Sequence, residues 1–262
     1  MVEMLLENKR IIVTGGLTGI GKATVLACAE HGATVVSMSR KAPTHPSAVE
    51  MLEQVEAAGN GAVSHMAADV SLQDDVDRAF DEAAAWMGGV DAMVNCAGDE
   101  MESPADEMTS AQLQEMFDVN VLGTAFTDAA AFRHMKDRGG SIINYGSYVG
   151  VVGLPGVAAY AAAKGAVSAY SRSIAMEWGR YGIRVNVVCP VVMTELYEKG
   201  FSLMPPERRA QMEAYFAASI PLGGKPGKAE DSANLNVFLA SDMSSFIHGQ
   251  LIGVDGGMMM PR

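Results

Sequence analysis

Short apolar runs recur along the chain, and stretches long enough to form helices separate them. Each run is rich in β-branched residues and shows almost no alternation of apolar and polar positions. Strands of this kind occur where helices cover both faces of a parallel sheet, because neither face then meets water. Seven runs are predicted to be strands, at residues 11–13, 33–38, 62–66, 92–94, 141–144, 183–188 and 251–254. Their alternation with helices predicts βαβ units and a Rossmann-like α/β fold, built on a doubly wound parallel sheet with helices on both faces.

The intervening stretches show the period of an α-helix. In residues 74–86, Val76, Ala79 and Phe80 recur on one face, and acidic residues occupy the other faces. Ser71 lies ahead of this segment and is predicted to be its N-cap.

No linker rich in Pro, Gly or Ser divides the chain, so one domain spanning residues 1–262 is predicted. Residues 191–226, between the sixth and seventh predicted strands, break the alternation and are rich in methionine and aromatic residues. Long excursions after a strand of an open α/β sheet tend to be functional covers. This segment is the predicted substrate lid, and Met193, Leu196 and Tyr197 near its start are expected to contact the substrate.

Charge and cysteine content narrow the range of partners. The chain has 19 Lys and Arg against 31 Asp and Glu, a formal net charge of −12. This charge repels phosphate backbones and anionic lipids, so neither nucleic acid nor a membrane is an expected partner. The three cysteines lie far apart, with no histidine at ligand spacing, so no metal site is expected. The first ten residues lack the apolar run of an export signal, and glycines interrupt the apolar segment 149–163, so a soluble cytoplasmic protein is expected.

A glycine-rich turn at residues 14–21, here called the glycine turn, follows the first predicted strand and precedes a predicted helix. Glycines let the backbone approach a pyrophosphate closely, and the N-terminus of the next helix offers unpaired N–H groups. Such turns also simply connect strands to helices, but this placement favours a dinucleotide site. The residues expected to contact the cofactor here are Gly15, Leu17, Thr18, Gly19, Ile20 and Gly21.

The end of the second predicted strand bears on the choice of dinucleotide. An acidic residue there would bond the ribose hydroxyls of NAD, whereas a basic residue accommodates the 2′-phosphate of NADP. The sequence has no acid at this point and reads Ser39, Arg40 and Lys41. Ser39 and Arg40 are expected to hold the 2′-phosphate, so NADP(H) is favoured and NAD(H) is possible.

Tyr160 and Lys164 lie four residues apart in a segment predicted to be a long helix through Trp178. This spacing places a phenol and an ammonium on one helix face, one turn apart. A phenol is a poor base at neutral pH unless a positive charge stabilises its anion, so Lys164 is expected to lower the pKa of Tyr160. Ser147 follows the fifth predicted strand, where its hydroxyl could hold a substrate oxygen.

Taken in order, these motifs resemble those of the short-chain dehydrogenases/reductases, and the resemblance covers nearly the whole chain. The glycine turn matches the family's glycine motif, and Ser147, Tyr160 and Lys164 match its catalytic residues. The catalytic Asn of the family matches Asn120. The resemblance implies a seven-stranded parallel sheet in the order 3-2-1-4-5-6-7 and a nicotinamide cofactor that carries the hydride.

The resemblance also implies a role for each catalytic residue. Tyr160 would be the acid or base at the reacting oxygen, and Ser147 would orient that oxygen. Lys164 would hold the nicotinamide ribose, and Asn120 would position a water that relays protons. The further cofactor contacts that the resemblance implies are Asp69, Val70, Asn95, Ala97, Gly98, Tyr160, Lys164, Pro190, Val192 and Thr194.

Two departures from the family pattern affect these expectations. No glycine follows Pro190, and Thr194 lies four residues beyond that proline instead of the usual five. Cys96 stands where the family has a second asparagine, and it is expected to be a packed structural thiol.

Three functions are open at this point. The first is an NADP(H)-dependent oxidoreductase that interconverts a secondary alcohol and a ketone, and the apolar lid favours an alicyclic or steroid-like substrate. The second is reduction of a 3-oxoacyl group on an acyl carrier protein, which the net charge disfavours because such carriers are acidic. The third is a non-catalytic dinucleotide-binding sensor or scaffold. A homotetramer is expected, since the family commonly forms one and small residues from Ala158 to Ala169 would let helices approach closely.

Overall fold

A seven-stranded parallel sheet forms the centre of the computed structural model, which describes residues 4–59 and 61–260 apart from the side chain of Leu196. The strands are β1 (Arg10–Thr14), β2 (Thr34–Ser39), β3 (Ala62–Ala67), β4 (Ala92–Asn95), β5 (Gly140–Tyr145), β6 (Ile183–Pro190), β7 (Val192–Met193), β8 (Gly227–Lys228) and β9 (Leu251–Val254). The sheet order is β3-β2-β1-β4-β5-β6-β9, and every neighbouring pair is parallel. The predicted fold class and strand order are therefore confirmed. The seventh strand of the sheet is β9 because the short strands β7 and β8 pair with each other outside it.

Helices cover both faces of this sheet. They are α1 (Gly19–Glu30), α2 (Pro46–Ala58), α3 (Gln73–Met87), α4 (Ser110–Phe117), α5 (Gly123–Met135), α6 (Val149–Val152), α7 (Ala158–Trp178), α8 (Glu195–Leu203), α9 (Pro206–Ser219) and α10 (Ala229–Ala240). A π-helical turn at Asp118–Leu122 joins α4 to α5. Within residues 4–59 and 61–260, no helix combines the length and the apolar character needed to cross a bilayer.

The packing of β1 shows why its sequence is continuously apolar. Ile11 and Val13 belong to a core cluster that includes residues of α1 and α10, whereas Ile12 belongs to a second cluster with residues of α3, α5 and α7. All three side chains are fully buried. Successive side chains of a strand point to opposite faces, so a sheet with helices on both sides needs apolar residues at every position.

The predicted N-cap of the helix after β3 is wrong. α3 begins at Gln73, and its N-cap residue, Leu72, makes no side-chain capping bond. Ser71 instead donates hydrogen bonds to Oδ1 of Asp69, from its backbone N at 3.0 Å and from its hydroxyl at 2.7 Å. The carboxylate of Asp69 therefore captures the hydroxyl that the sequence pattern assigned to the helix end.

The predicted lid folds into the two helices α8 and α9. Phe216 and Ile220, at the end of α9, pack with Val191 in a small core cluster, and Tyr148, which follows β5, packs against this cluster. The side chain of Arg208 on α9 forms an ion pair with Glu102 in the loop after β4. These contacts place the segment beside the carboxyl ends of β4, β5 and β6.

Candidate active site

The glycine turn lies against the segment that follows β4. Gly15 has a φ of +66°, and a Cβ there would lie 2.9 Å from the backbone N of Ala97. A Cβ on Gly21 would lie 2.2 Å from the backbone oxygen of Gly15. Only glycine fits at these two positions, so the turn presents bare backbone at the N-terminus of α1, which starts at Gly19. Bare backbone at a helix N-terminus is suited to hold the phosphates of a dinucleotide.

The other residues of the glycine turn differ in their surroundings. Leu17 is buried, and Ile20 packs against the core beside α1, so both side chains support the turn from inside. Thr18 is exposed at the N-cap position of α1. The contacts expected of Leu17 and Ile20 are therefore available only from their backbone atoms.

Asn95, expected from the resemblance to contact the cofactor, uses its side chain to join secondary-structure elements. Its Oδ1 accepts a hydrogen bond from the Thr14 hydroxyl at 2.8 Å, and its Nδ2 donates to the Thr127 hydroxyl at 2.7 Å. The Thr14 hydroxyl also accepts a bond from the Ala97 backbone N at 3.1 Å. Asn95 is 2% exposed, so its side chain fixes the strand ends and does not reach the cleft.

Gly98 is the point where Asn120 and Lys164 meet. A Cβ on Gly98 would lie 2.8 Å from Oδ1 of Asn120 and 3.2 Å from Nζ of Lys164. Asn120 is fully buried in the π-helical turn, and its Nδ2 donates to the backbone oxygens of Asp99 at 3.0 Å and Met116 at 3.1 Å. Single π-turns inside helices are common at functional sites. The amide of Asn120 is thus held in a fixed orientation, and its oxygen accepts from the backbone N of Asp99 at 3.4 Å.

Ser147, Tyr160 and Lys164 come together beyond the end of β5. The side chain of Ser147 acts on the phenol of Tyr160 and lowers its pKa. Nζ of Lys164 lies 5.7 Å from the centroid of the Tyr160 ring and donates to the backbone oxygen of Tyr145 at 3.1 Å. Both Tyr160 and Lys164 are on α7, as the spacing of four predicts for one helix face. The structure therefore places all four predicted catalytic residues at one site.

The electrostatics of this site differ from the expectation. Burial lowers the pKa of Lys164 from its ordinary value to about 8. Burial also raises the pKa of Tyr160, and the charge of Glu100 raises it further, while the side chain of Ser147 lowers it. The expectation that Lys164 makes Tyr160 acidic is therefore wrong for the chain by itself, because desolvation of the phenol outweighs the favourable interactions.

Sequence reasoning missed three residues beside the site. The charge of Glu100 acts on the phenols of Tyr148, Tyr160 and Tyr197. Burial raises the pKa of Tyr148, and the phenol of Tyr215 on α9 raises it further. Glu100 and Tyr148 each follow a strand of the sheet closely, and that position was the available signal. Tyr215 lies within the predicted lid, but its side chain was not singled out as a residue of the site.

On the side expected to hold adenosine, the structure places the predicted residues at the ends of β2 and β3. Arg40 is exposed directly after β2, and the backbone oxygen of Ser39 accepts from the Ala68 N at 2.8 Å. Asp69 is partly buried, with Oδ1 engaged by Ser71. Val70 packs against Gly123 at the start of α5, where a Cβ would lie 2.9 Å from its Cγ2.

The residues after β6 close the opposite side of the site. A Cβ on Gly19 would lie 3.3 Å from Cγ2 of Thr194, so Thr194 reaches the glycine turn despite its shortened distance from Pro190. Val192 and Met193 are partly buried in β7. The Tyr197 ring is stacked with Phe201 at a centroid distance of 6.4 Å. The predicted substrate contact from the side chain of Leu196 lies outside the described part of the structure.

The arrangement fits a nicotinamide dinucleotide. The glycine positions leave no room for side chains where phosphates would lie, and Arg40 offers a cation at the far end. No group of three or more His, Cys, Asp or Glu side chains among the described residues is placed to hold a metal. Burial raises the pKa of Cys96 to about 12, as expected for a packed thiol.

Comparison with known proteins assigns the chain to a family. A family model described as enoyl-(acyl carrier protein) reductase matches residues 15–259. The chain is 37% identical over 258 residues to 3beta-hydroxysteroid dehydrogenase 1 of Eggerthella lenta, covering 97% of this chain and 95% of that protein. It is 34% identical over 259 residues to a 3-oxoacyl-[acyl-carrier-protein] reductase of Thermotoga maritima, covering 98% of this chain and 100% of that one. The structure of a short-chain type dehydrogenase/reductase from Mycobacterium ulcerans superimposes with a TM-score of 0.88 at 30% identity, covering 98% and 92% of the two chains. The chain therefore belongs to the short-chain dehydrogenase/reductase family of oxidoreductases.

Proposed function

We propose that the protein is an NADP(H)-dependent oxidoreductase that interconverts a secondary alcohol and a ketone on an apolar, alicyclic or steroid-like substrate. The observation that carries this proposal is the meeting of Ser147, Tyr160 and Lys164 beside the glycine turn. These side chains supply a hydrogen-bond donor for a carbonyl oxygen, a proton donor and a positive charge.

Each residue has a role that its surroundings support. Ser147 holds and polarises the substrate oxygen, and the Tyr160 hydroxyl gives that oxygen its proton in ketone reduction or takes it in alcohol oxidation. A bound nicotinamide would supply or accept the hydride. Because its pKa is raised, the phenol is protonated at neutral pH and ready to act as an acid. Lys164 and Asn120, which meet at Gly98, would hold the ribose and a water that returns protons from solvent.

NADP(H) is the proposed cofactor. Ser39 ends β2 and Arg40 follows it, where a 2′-phosphate would lie if the pyrophosphate rests on the glycine turn. Arg40 is exposed and can form a planar, two-bonded contact with a phosphate. No carboxylate ends β2 to bond the free ribose hydroxyls of NAD(H).

The substrate proposal rests on the lid and on the charge around it. Tyr148, next to Ser147, and Phe201 of α8 pack against the same core cluster, and Tyr197 is stacked with Phe201. Aromatic side chains of this kind suit a bulky ring system. The hydroxysteroid dehydrogenase of Eggerthella lenta is named for a substrate of this class.

The relative from Thermotoga maritima is named for a 3-oxoacyl group on a carrier protein, and this is the second candidate function. Carrier proteins are acidic, and both Glu100 and Glu102 are exposed beside the site of a chain with a net charge of −12. Charge repulsion therefore favours a small ketone over a carrier-bound acyl group.

A ketone panel with NADPH and NADH in parallel tests the proposed function. We expect NADPH-dependent turnover of steroid or alicyclic ketones by the wild type. Tyr160→Phe should lower kcat by at least about 100-fold and leave the Kd for NADPH within about twofold, because only the ionisable oxygen is removed. Tyr170→Phe is the matched control, since Tyr170 lies on the same helix but packs in the core beside α3 and α5.

The outcomes separate the candidate functions. Turnover of an acyl-carrier substrate in preference to every free ketone would support the second candidate. Tight NADPH binding without turnover of either substrate class would support the non-catalytic sensor or scaffold.

A homotetramer is also proposed. Met176 at the end of α7 and Phe246 before β9 are 87% and 102% exposed in the single chain. Subunit contacts would remove such apolar side chains from water. Light scattering should report four times the chain mass of 27.6 kDa, and a monomer would refute the assembly.

A further inference from the structure

A buried histidine on β3 connects the glycine turn to the residues proposed to hold the 2′-phosphate. His65 is 4% exposed, lies in β3 and is absent from every motif of the catalytic set. Its Nδ1 lies 3.0 Å from the hydroxyl of Ser37 on β2, and its Nε2 lies 3.0 Å from the backbone oxygen of Lys41. A buried ring with both nitrogens engaged holds whatever it bonds in a fixed position.

The partners determine which nitrogen carries the proton. A backbone oxygen can only accept, so Nε2 of His65 donates to Lys41. Burial lowers the pKa of His65, so the ring is neutral at pH 7 and Nδ1 accepts from the Ser37 hydroxyl. The two bonds therefore have opposite polarity, and different side chains can imitate them one at a time.

Through Ser37, the histidine is connected to the glycine turn. A Cβ on Gly16 would lie only 2.4 Å from Oγ of Ser37, so the hydroxyl fits against the bare backbone of the turn. The backbone N of Gly16 also donates to the oxygen of Met38 at 3.2 Å. The position of the turn and the position of Ser37 are thus interdependent.

Through Lys41, the histidine is connected to the residues proposed to hold the 2′-phosphate. The backbone N of Lys41 donates to Oγ of Ser39 at 3.2 Å, which closes a tight turn around Arg40. Nε2 of His65 also lies 3.5 Å from that same hydroxyl. The bond from His65 to Lys41 holds one end of this turn against β3, and without it the turn would be free to move relative to the glycine turn.

We propose that His65 is a positioning residue for cofactor choice, which fixes Ser39 and Arg40 at the distance from the glycine turn that the 2′-phosphate of NADP(H) requires. This inference rests on the proposed NADP(H) site. It does not involve the nicotinamide end of the cofactor, where the reaction would occur.

Two variants separate the bonds of the histidine. His65→Gln retains a donor near the place of Nε2 and so keeps the bond to Lys41. His65→Asn is one bond shorter, so it keeps an acceptor for Ser37 but does not reach Lys41. Both variants bury one neutral amide, so a general loss of packing affects both, whereas loss of the Lys41 bond affects only the second.

The measurement is the Kd of NADPH and of NADH, obtained by titration of nicotinamide fluorescence on the full chain at pH 7.5, together with Tm. These two probes differ only in the 2′-phosphate. We expect the wild type to prefer NADPH, and His65→Gln, which loses only the bond to Ser37, to lower this preference by no more than about two- to fivefold. In His65→Asn the preference should fall by about 5- to 10-fold, through a weaker Kd for NADPH, since one hydrogen bond of this kind is lost.

Each result has a separate meaning. A wild type that binds NADH as tightly as NADPH overturns the proposed cofactor, and with it this inference. Equal NADPH preference in the wild type and both variants overturns the inference alone, as does an equal weakening of NADPH and NADH in His65→Asn. If neither His65 variant folds, Ser37→Ala tests the other bond of the ring and should lower the preference by about two- to fivefold. An unchanged preference in that variant overturns the inference.

Discussion

Replacing Lys164 by methionine measures the effect of its buried charge on stability. Lys164 is 6% exposed, and burial lowers its pKa from 10.5 to about 8. Below pH 8 both the folded and the unfolded chain carry this proton, and the folded state bears the cost of burying it. Between about pH 8 and pH 10.5 the unfolded chain binds more protons than the folded chain, so this group makes the wild type more stable as pH rises. Methionine has similar length and no charge, so the variant lacks this dependence.

The structure gives the size of the effect. The difference between pKa values of 10.5 and about 8 corresponds to about 3.4 kcal/mol. The variant also loses the hydrogen bond from Nζ of Lys164 to the backbone oxygen of Tyr145, which costs about 1–3 kcal/mol at a buried site. The expected net result at pH 7 is a stabilisation of about 1 kcal/mol. Between pH 7 and pH 9.5 the wild type should gain about 2 kcal/mol that the variant does not.

Denaturant unfolding of both proteins at pH 7 and pH 9.5, followed by circular dichroism at equal concentration, provides the assay. Lys136→Met is the matched control, because Lys136 is exposed at the end of α5. The free energy of unfolding of Lys136→Met relative to the wild type should not change between pH 7 and pH 9.5. If the free energy of unfolding of Lys164→Met relative to the wild type is also the same at these two pH values, the reasoning is refuted. The variant should have no dehydrogenase activity, so it would be more stable at neutral pH and inactive.

Three further predictions follow from single contacts. Gly21→Ala should raise the Kd of NADPH at least about 10-fold in fluorescence titrations, because its Cβ would lie 2.2 Å from a backbone oxygen of the glycine turn; an unchanged Kd would contradict the proposed role of that turn. Glu100→Gln should move the pH limb of alcohol oxidation toward lower pH, since the charge of Glu100 raises the pKa of Tyr160; Glu107→Gln, farther along the same loop, should leave that limb unchanged. Asp128→Asn should raise Tm at pH 7, because burial raises the pKa of this fully buried carboxyl and the amide carries no charge. The gain in Tm should shrink as pH falls toward 4, and a lower Tm at pH 7 would count against the argument.

The sheet could be predicted because the apolar runs that form its strands are visible in the local sequence. β1 is apolar at the successive positions Ile11, Ile12 and Val13, and only a sheet covered on both faces needs that pattern. The apolar pattern did not predict the last residues of β1 and β4. Thr14 and Asn95 are polar, yet they extend β1 and β4 because each satisfies the other across the sheet. β7 was not predictable, since two residues carry no period and its partner β8 lies more than 30 residues away.

The candidate site was predictable as a set of residues and unpredictable in its electrostatics. The spacing of Tyr160 and Lys164 fixes their common helix face. Their pKa values depend on how much water the surrounding elements exclude, and on Glu100, which comes from another loop. The π-helical turn that orients Asn120 also depends on backbone bonds that side-chain patterns do not encode.

The direction of these two shifts has a consequence for the chemistry. Burial favours the neutral form of a titratable group. It therefore raises the pKa of Tyr160, which keeps its proton, and lowers the pKa of Lys164, which loses its proton more easily. Near pH 7 the chain therefore presents a protonated phenol beside an ammonium, which is the state that ketone reduction consumes. Alcohol oxidation needs the phenol without its proton, and that state becomes populated only as the pH rises. Since Lys164 itself loses its charge above about pH 8, the group that would stabilise the phenolate disappears over the same range. For oxidation, a rise in pH supplies the phenolate but removes the ammonium that would stabilise it. For reduction, the phenol and the ammonium are both in the required state near pH 7. The rate of reduction should therefore be highest near neutral pH, while oxidation should be confined to a narrower alkaline range.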